Sequence, residues 1–450
     1  MKKIKLLPIA AFAIMAMASC SDDDSNTIDT GNQPGQVTAQ ANLEETGDYD
    51  LSSTQKNIHL NGTSATSDDS TVSTNEGSRV TITQAGTYHV TGNLTNGQLV
   101  VKANQDQKVK IILDNASISS NTDAAIDIEN ADKVIINVKG GTTNSLAYNG
   151  SNSQHGAIFS RTKLSIFGDG TLNLNGGGNT AIHSQGGIIV KEGTFNLTAG
   201  TDALHTDHNI IVYNGELNIN AQGDGFNAQS DITINDGTIN ITNSQDGFEA
   251  GAVNILNGNI RVVASEDGVS VDGENTDAAT QLFVKNGYLY VNAAGNGFDA
   301  KGSITIEAGT VIIDGPTSDN TSGINYTSSF NINGGYVIAV NGSSSIGTPS
   351  ENSAQNSIII KFDQMQEANT LLHVQTTLGA NLTTFRPSKG FKTVLLSSAA
   401  INDNGTFQVY TGGTVTGDVL DGLYELISYI GGSLYATFTV TGSVTTVAAS

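Results

Sequence analysis

Four aspartates return at nearly constant spacing: Asp202, Asp224, Asp246 and Asp267, separated by 22, 22 and 21 residues. They open the tetrads Asp202-Ala-Leu-His, Asp224-Gly-Phe-Asn, Asp246-Gly-Phe-Glu and Asp267-Gly-Val-Ser. If each repeat is one coil of a stack, neighbouring carboxylates stand about 5 Å apart, the spacing of adjacent β-strands. Like charges at that range repel by about 1 kcal/mol in water and several-fold more near protein. A hard cation relieves that repulsion, because Ca²⁺ takes 6–8 oxygen ligands from carboxylates, amides and carbonyls. The position three residues on supplies further oxygens in Asn227, Glu249, Ser270 and Asp299, and Glu266 flanks the last aspartate. The candidate Ca²⁺ ligands are therefore Asp202, Asp224, Asp246, Asp267, Asn227, Glu249, Glu266 and Asp299. The competing explanation is a repeated turn, since Asp before Gly caps nearby backbone N–H groups. A second ligand set, His183 and His205 with Asp202, Asp207 and His208, has donors that zinc accepts.

These residues need a scaffold that repeats. After each tetrad come an apolar-x-apolar pair, a glycine and a second such pair, cleanest as Ile232/Ile234, Gly237 and Ile239/Ile241. The glycine recurs at Gly193, Gly215, Gly237, Gly258, Gly287, Gly309 and Gly335. Period-two alternation inside a period near 20 residues predicts an all-β solenoid: a right-handed parallel β-helix of about 22 residues per coil. Its first apolar column runs Ile126, Ile158, Ile182, Leu204, Phe226, Phe248, Val269, Phe298 and Ile324, with Phe226 stacked on Phe248. The middle residues of the third strand, Asn173, Asn196, Asn218 and Asn240, face outward as an amide ladder.

The chain divides accordingly. Residues 1–20 carry Lys2, Lys3 and Lys5, an apolar run and a single cysteine, Cys20, after Met17-Ala18-Ser19. They read as a signal peptide, with a lipobox-like ending that makes Cys20 a lipidation site. Ser21-Asp22-Asp23-Asp24 resembles a surface-export signal of Bacteroidetes lipoproteins, which gives an outer-membrane lipoprotein exposed at the cell surface. Residues 21–50 are expected to be a flexible tether, 51–340 the β-helix with an N-terminal cap, and 341–450 a β module capping the far end. No transmembrane helix is expected in the mature chain, so any membrane attachment is by lipid.

Net charge is −23, with 43 acidic against 20 basic residues. Nucleic acid needs a basic footprint and is excluded as a partner. No nucleophile motif, phosphate loop or paired-cysteine site is present, and no catalytic residue is assigned. A lyase would need a basic residue facing the aspartates, and of Arg161, Arg261, Lys191, Lys285 and Lys301 none is well placed. Arg261 falls in the third-strand outward column on another face, and Arg161 in the first-strand outward column two coils before the ladder.

The run Val109–Asn137, Gly156-Ala-Ile158, the Asp-Gly-Phe coils and Tyr410-Thr-Gly-Gly413 together resemble a bacterial carbohydrate-binding β-helix family similar in fold to pectate lyases. The resemblance covers Leu51 to Val447. It implies polysaccharide binding at the cell surface and Ca²⁺ on stacked acidic residues, carried here by Asp202, Asp224, Asp246 and Asp267. The family's paired Asp-Asp-Gly is only partial in this chain, so fewer ions are implied. There is no Trp, the commonest sugar platform, which leaves Tyr213, Tyr288, Tyr290 and Tyr326 for stacking. A cation bridging protein to uronate needs no aromatic ring, so an acidic glycan such as pectin is the expected ligand. The alternatives are a Ca²⁺-dependent polysaccharide lyase and a surface adhesin or scaffold with a protein ligand.

Overall fold

Alternating side chains bury one face of every short strand, and a 22-residue coil can hide that face only against its neighbours. The computed structural model, which describes residues 43–448 apart from 77, 151–154, 273–279 and 319–320, has this architecture. It is a parallel β-solenoid of about 10 turns followed by a separate antiparallel sheet. Each coil contributes three strands. In one coil these are Leu204–Thr206, Ile210–Val212 and Glu216–Ala221, and each pairs in parallel with its counterpart in the coils before and after. The first apolar column is confirmed in register from Ile126 through Ile158, Ile182, Leu204, Phe226, Phe248, Val269 and Phe298 to Ile324. All nine side chains are buried, and Phe226 stacks on Phe248 with ring centroids 4.9 Å apart.

The recurrent glycine turns the chain from the second strand into the third. Gly237 has φ +114°, and a Cβ there would lie 2.8 Å from the Gly215 carbonyl oxygen. Both the dihedral and the close approach of the next coil require glycine.

The stack begins with Gln55–Gly62, which pairs in parallel with Gly86–Thr95 and antiparallel with Ala65–Ser67. The short antiparallel pieces protect the first edge. Residues 43–50 do not behave as the flexible tether that their composition suggests. Leu43 is buried against Ile189 and Ile211, and Glu44 accepts hydrogen bonds from Lys191 Nζ (2.8 Å) and the Tyr213 hydroxyl. Asp48 is 1 % exposed and is gripped by Lys108 Nζ at 2.7 Å and Lys133 Nζ at 2.6 Å. This strap lies on the outside of the second-strand sheet, tying several coils together. Cys20 and the Ser21–Asp24 run lie outside the described residues.

At the far end, Tyr336–Asn341 pairs antiparallel with Phe391–Ser398, which pairs in turn with Ser357–Gln366. Beyond them a six-stranded antiparallel sheet runs in the order Thr414–Leu420, Leu423–Ile430, Asn381–Phe385, Leu372–Thr376, Thr406–Thr411, Ser433–Thr439. A second core forms where this module meets the outer face of the last third strands, joining Ile312 and Ile338 to Phe362, Phe385, Phe391 and Val394. No helix among the described residues is long and apolar enough to cross a membrane.

Candidate functional site

The aspartates do form a ladder, held by hydrogen bonds that run along the stack. Oδ1 of Asp202 accepts the backbone N–H of Asp224 at 2.9 Å, Oδ1 of Asp224 that of Asp246 at 2.9 Å, and Oδ1 of Asp246 that of Asp267 at 2.7 Å. The series continues beyond the four aspartates: Asp267 Oδ1 accepts from Asn296 N at 2.5 Å, and Asn296 Oδ1 from Ser322 N at 2.9 Å. One oxygen of each carboxylate is thus committed to the backbone of the next coil. The repeated-turn explanation accounts for the register of all four residues.

The second oxygens divide the ladder. Asp202 Oδ2 lies 3.0 Å from His205 Nδ1, and Asp267 Oδ2 is 3.5 Å from Asn296 Nδ2. Asp224 and Asp246 instead converge with Glu249, one oxygen of each lying within 4.8 Å of the others. Asn227 donates through Nδ2 to Asp224 Oδ2 at 2.8 Å and to Glu249 Oε2 at 2.7 Å. Crowded anions in a partly dry site hold protons tightly. Burial, joined by the neighbouring Asp224 and Asp267 charges, pushes Asp246 up to about 7. Burial together with hydrogen bonding and repulsion from Asp224 pushes Glu249 up to about 8. Burial likewise raises Asp267.

Three carboxylates and one amide make a donor set made entirely of oxygen once Asn227 turns its carbonyl inward, a rotation that exchanges O and N at little cost in shape. That set fits a hard divalent cation. Of the eight predicted ligands, Asp224, Asp246, Asn227 and Glu249 come together. Asp202 is turned to His205, Asp267 to Asn296, and Asp299 accepts from Asn325 Nδ2 at 2.6 Å two coils further on. Glu266 is exposed and accepts from Gln245 Nε2 at 3.2 Å.

The cluster stands on the outer face of the first-strand sheet. There one column reads Asp127, Phe159, His183, His205, Asn227, Glu249, Ser270, Asp299 and Asn325. A cleft of about 350 Å³ opens beside it, bordered by His205, Asp207, Asn227, Gln229, Glu249 and Asp272. The same column carries a row of aromatic rings, of which Phe159 is buried. His155 stacks on Phe159 at 3.6 Å, Phe159 meets His183 edge-on at 5.1 Å, and His183 meets His205 at 4.8 Å. Phe159, His183 and His205 occupy one register position, so this part of the row is legible in the repeat spacing.

The four tyrosines are engaged elsewhere. Tyr213 sits under the strap, bonded to Glu44 and covered by Lys191 Nζ 3.7 Å from its ring centroid. Tyr288 donates to Asp421 Oδ2 at 2.7 Å, and both Tyr288 and Tyr290 pack into the core of the C-terminal module. Tyr326 donates to the Thr348 carbonyl at 2.7 Å. None of them faces the cleft beside the carboxylates. The arginines proposed for a lyase are also occupied. Arg261 bonds Asp421 at 2.9 Å and stacks on Tyr288, whereas Arg161 covers Phe159 and stands 3.7 Å from Asp127. Arg161 follows the strand Ile158–Ser160 rather than occupying its outward column, which Phe159 fills.

The chain belongs to the family described as carbohydrate-binding domain-containing proteins, which it matches over residues 76–251 and 227–361, more than half of its length. A protein of that description from Acetivibrio thermocellus is 28 % identical over 128 residues, covering 27 % of this chain and 45 % of that protein. The chain thus spans about half the length of this curated relative. Among solved structures, a polysaccharide lyase-like protein from C. thermocellum, studied as a gadolinium derivative, is similar with 19 % identity and a TM-score of 0.41, covering 62 % of this chain and 97 % of that one.

Proposed function

We propose that the protein is a cell-surface lipoprotein that binds an acidic polysaccharide such as pectin, with Ca²⁺ held by Asp224, Asp246 and Glu249 and by the carbonyl of Asn227. The observation that carries this reading is the convergence of three carboxylates beside a cleft in a chain of the carbohydrate-binding family. Without a cation, burial and then the repulsion of neighbouring carboxylates raise Asp246 and Glu249. A divalent ion takes the place of those protons and leaves ligand positions open toward the cleft. A uronate carboxylate can fill them, which explains how an acidic protein attracts an acidic glycan. The membrane part of the proposal rests on Cys20 and the leader before it.

Retention of the purified protein on immobilised pectin, with Ca²⁺ and with EDTA, tests the reading when the ultraviolet absorbance of unsaturated uronate is followed in the same samples. Calcium-dependent retention with flat absorbance, lost in Asp246→Asn/Glu249→Gln, is the expected result. Rising absorbance would make the protein a lyase. Retention on none of a panel of acidic and neutral glycans would overturn polysaccharide binding and leave the adhesin.

A further inference from the structure

The outward column changes chemistry between two neighbouring coils. From Asn227 onward its donors are oxygens, whereas the two coils before it present imidazoles, His183 and His205, in direct register. A ring nitrogen of each histidine and a carboxylate oxygen of Asp207 lie within 4.8 Å of one another. We propose that His183, His205 and Asp207 form a second cation site, for a borderline transition-metal ion of the Zn²⁺ type, separate from the oxygen cluster.

Two features outside the donor set prepare these rings to bind a metal. His205 Nδ1 is held by Asp202 Oδ2 at 3.0 Å. A carboxylate only accepts, so Nδ1 carries the proton and Nε2 keeps its lone pair. A carboxylate behind a ligating imidazole is the usual arrangement in metal sites, where it fixes the tautomer and raises the basicity of the ligand. His183 is steadied from the other side by the edge of Phe159, itself buried beneath His155 and Arg161. The ring therefore has a defined place on a rigid sheet. Asp207 is exposed. Tetrahedral ligation with bonds of about 2.0 Å brings donor atoms to ~3.3 Å of one another, so the three must close by a rotation of Asp207 and a small turn of the rings.

Ligand type separates the two sites. Imidazole nitrogen suits Zn²⁺, Co²⁺ and Ni²⁺ and is a poor ligand for Ca²⁺, whereas an all-oxygen cluster has the opposite preference. Asp202 and His208 thereby leave the ligand set suggested by sequence. Asp202 acts through His205 as a positioning residue, and His208, exposed at the next turn, is not among the converging donors. His205 and Asp207 both border the cleft, so the fourth position of a bound ion faces the same space as the carboxylate cluster. The inference stands apart from the polysaccharide reading, since its donors are a different set and its test uses no glycan.

The test is calorimetric titration of the untagged protein with Zn²⁺ in saturating Ca²⁺, together with the visible spectrum of the Co²⁺-loaded protein. One ion per chain, with a tetrahedral Co²⁺ band, is expected. His183→Ala/His205→Ala should abolish it with the circular dichroism spectrum unchanged, and Asp246→Asn/Glu249→Gln should leave it intact. In Asp202→Asn the amide donates to Nδ1 and reverses the tautomer, so affinity should fall roughly 10–100-fold while the Co²⁺ band at saturation keeps its shape. If the double histidine variant does not fold, His205→Gln alone must weaken binding at least tenfold. No saturable Zn²⁺ binding, displacement by Ca²⁺, or unchanged binding in the histidine variants would overturn the site.

Discussion

At the residue scale, cation binding depends on which oxygens of the ladder are left over from backbone capping. Oδ1 of every ladder aspartate caps the next coil, so replacing one by alanine removes a structural bond as well as charge. Glu249 makes no such cap, and its substitution isolates the cation. Glu249→Gln should weaken Ca²⁺ by at least tenfold in a calorimetric titration, about 1.4 kcal/mol, with melting in EDTA no lower than in the native chain. The same groups set a pH dependence. In the fold, Asp246 and Glu249 bind protons with pKa values of about 7 and 8, above ordinary values of 3.8 and 4.5. At these two groups the folded state therefore holds more protons than the unfolded one across that window, and their contribution to stability falls as pH rises from about 4.5 to about 8. Melting in EDTA should be lower at pH 8 than at pH 5.5, and Ca²⁺ should restore the difference. Ca²⁺ affinity should climb with pH up to about 8, because binding releases protons.

The sequence revealed the aspartate register but not this division of labour. Spacing places four carboxylates in one column, yet the rotamer that sends Asp202 to His205 and Asp224 to Glu249 depends on neighbours three residues and one coil away. Of the aromatic row only His155 was hidden for a similar reason, since it reaches Phe159 from a turn outside the strand register.

At the element scale, period-two alternation and the glycine column were enough to specify the coils, because a buried column tolerates no slip in register. Gly237→Ala would force a residue with a side chain to φ +114° and push its Cβ to 2.8 Å from the Gly215 oxygen. It should lower stability by about 1–3 kcal/mol, read from a denaturant titration. The strap was not legible. Residues 43–50 have no apolar period, and what holds them is pairing of Glu44, Glu45 and Asp48 with Lys191, Lys108 and Lys133 far along the chain. Asp48→Asn leaves Lys133 buried with a neutral partner in place of its counter-charge. Breaking such a pair costs about 3–5 kcal/mol, and limited proteolysis should then cut near residue 48 faster than in the native protein.

At the scale of the whole molecule, the third-strand outward column shows where the C-terminal module docks. It runs as Asn173, Asn196, Asn218 and Asn240, with Asn196 donating to Asn173 at 2.8 Å and Asn218 to Asn196 at 3.2 Å, and then changes to Arg261, Tyr290, Ile312 and Ile338. That switch from amide to apolar was readable in the sequence once the register was known. It explains why Tyr288 and Tyr290 face protein, and it leaves the first-strand face as the one bearing the cleft and the carboxylates. Ile338→Asp should open the module while preserving the solenoid, seen as protease release of the C-terminal sheet with Ca²⁺ affinity unchanged.

Hydrogen exchange of the protein with a galacturonate oligosaccharide, in Ca²⁺ and in EDTA, tests cation-assisted glycan binding on the first-strand face most directly. Protection at residues 205–207, 227–229 and 249–251 that appears only with Ca²⁺ is the predicted result. Protection on another face, or equal protection in EDTA, would contradict it.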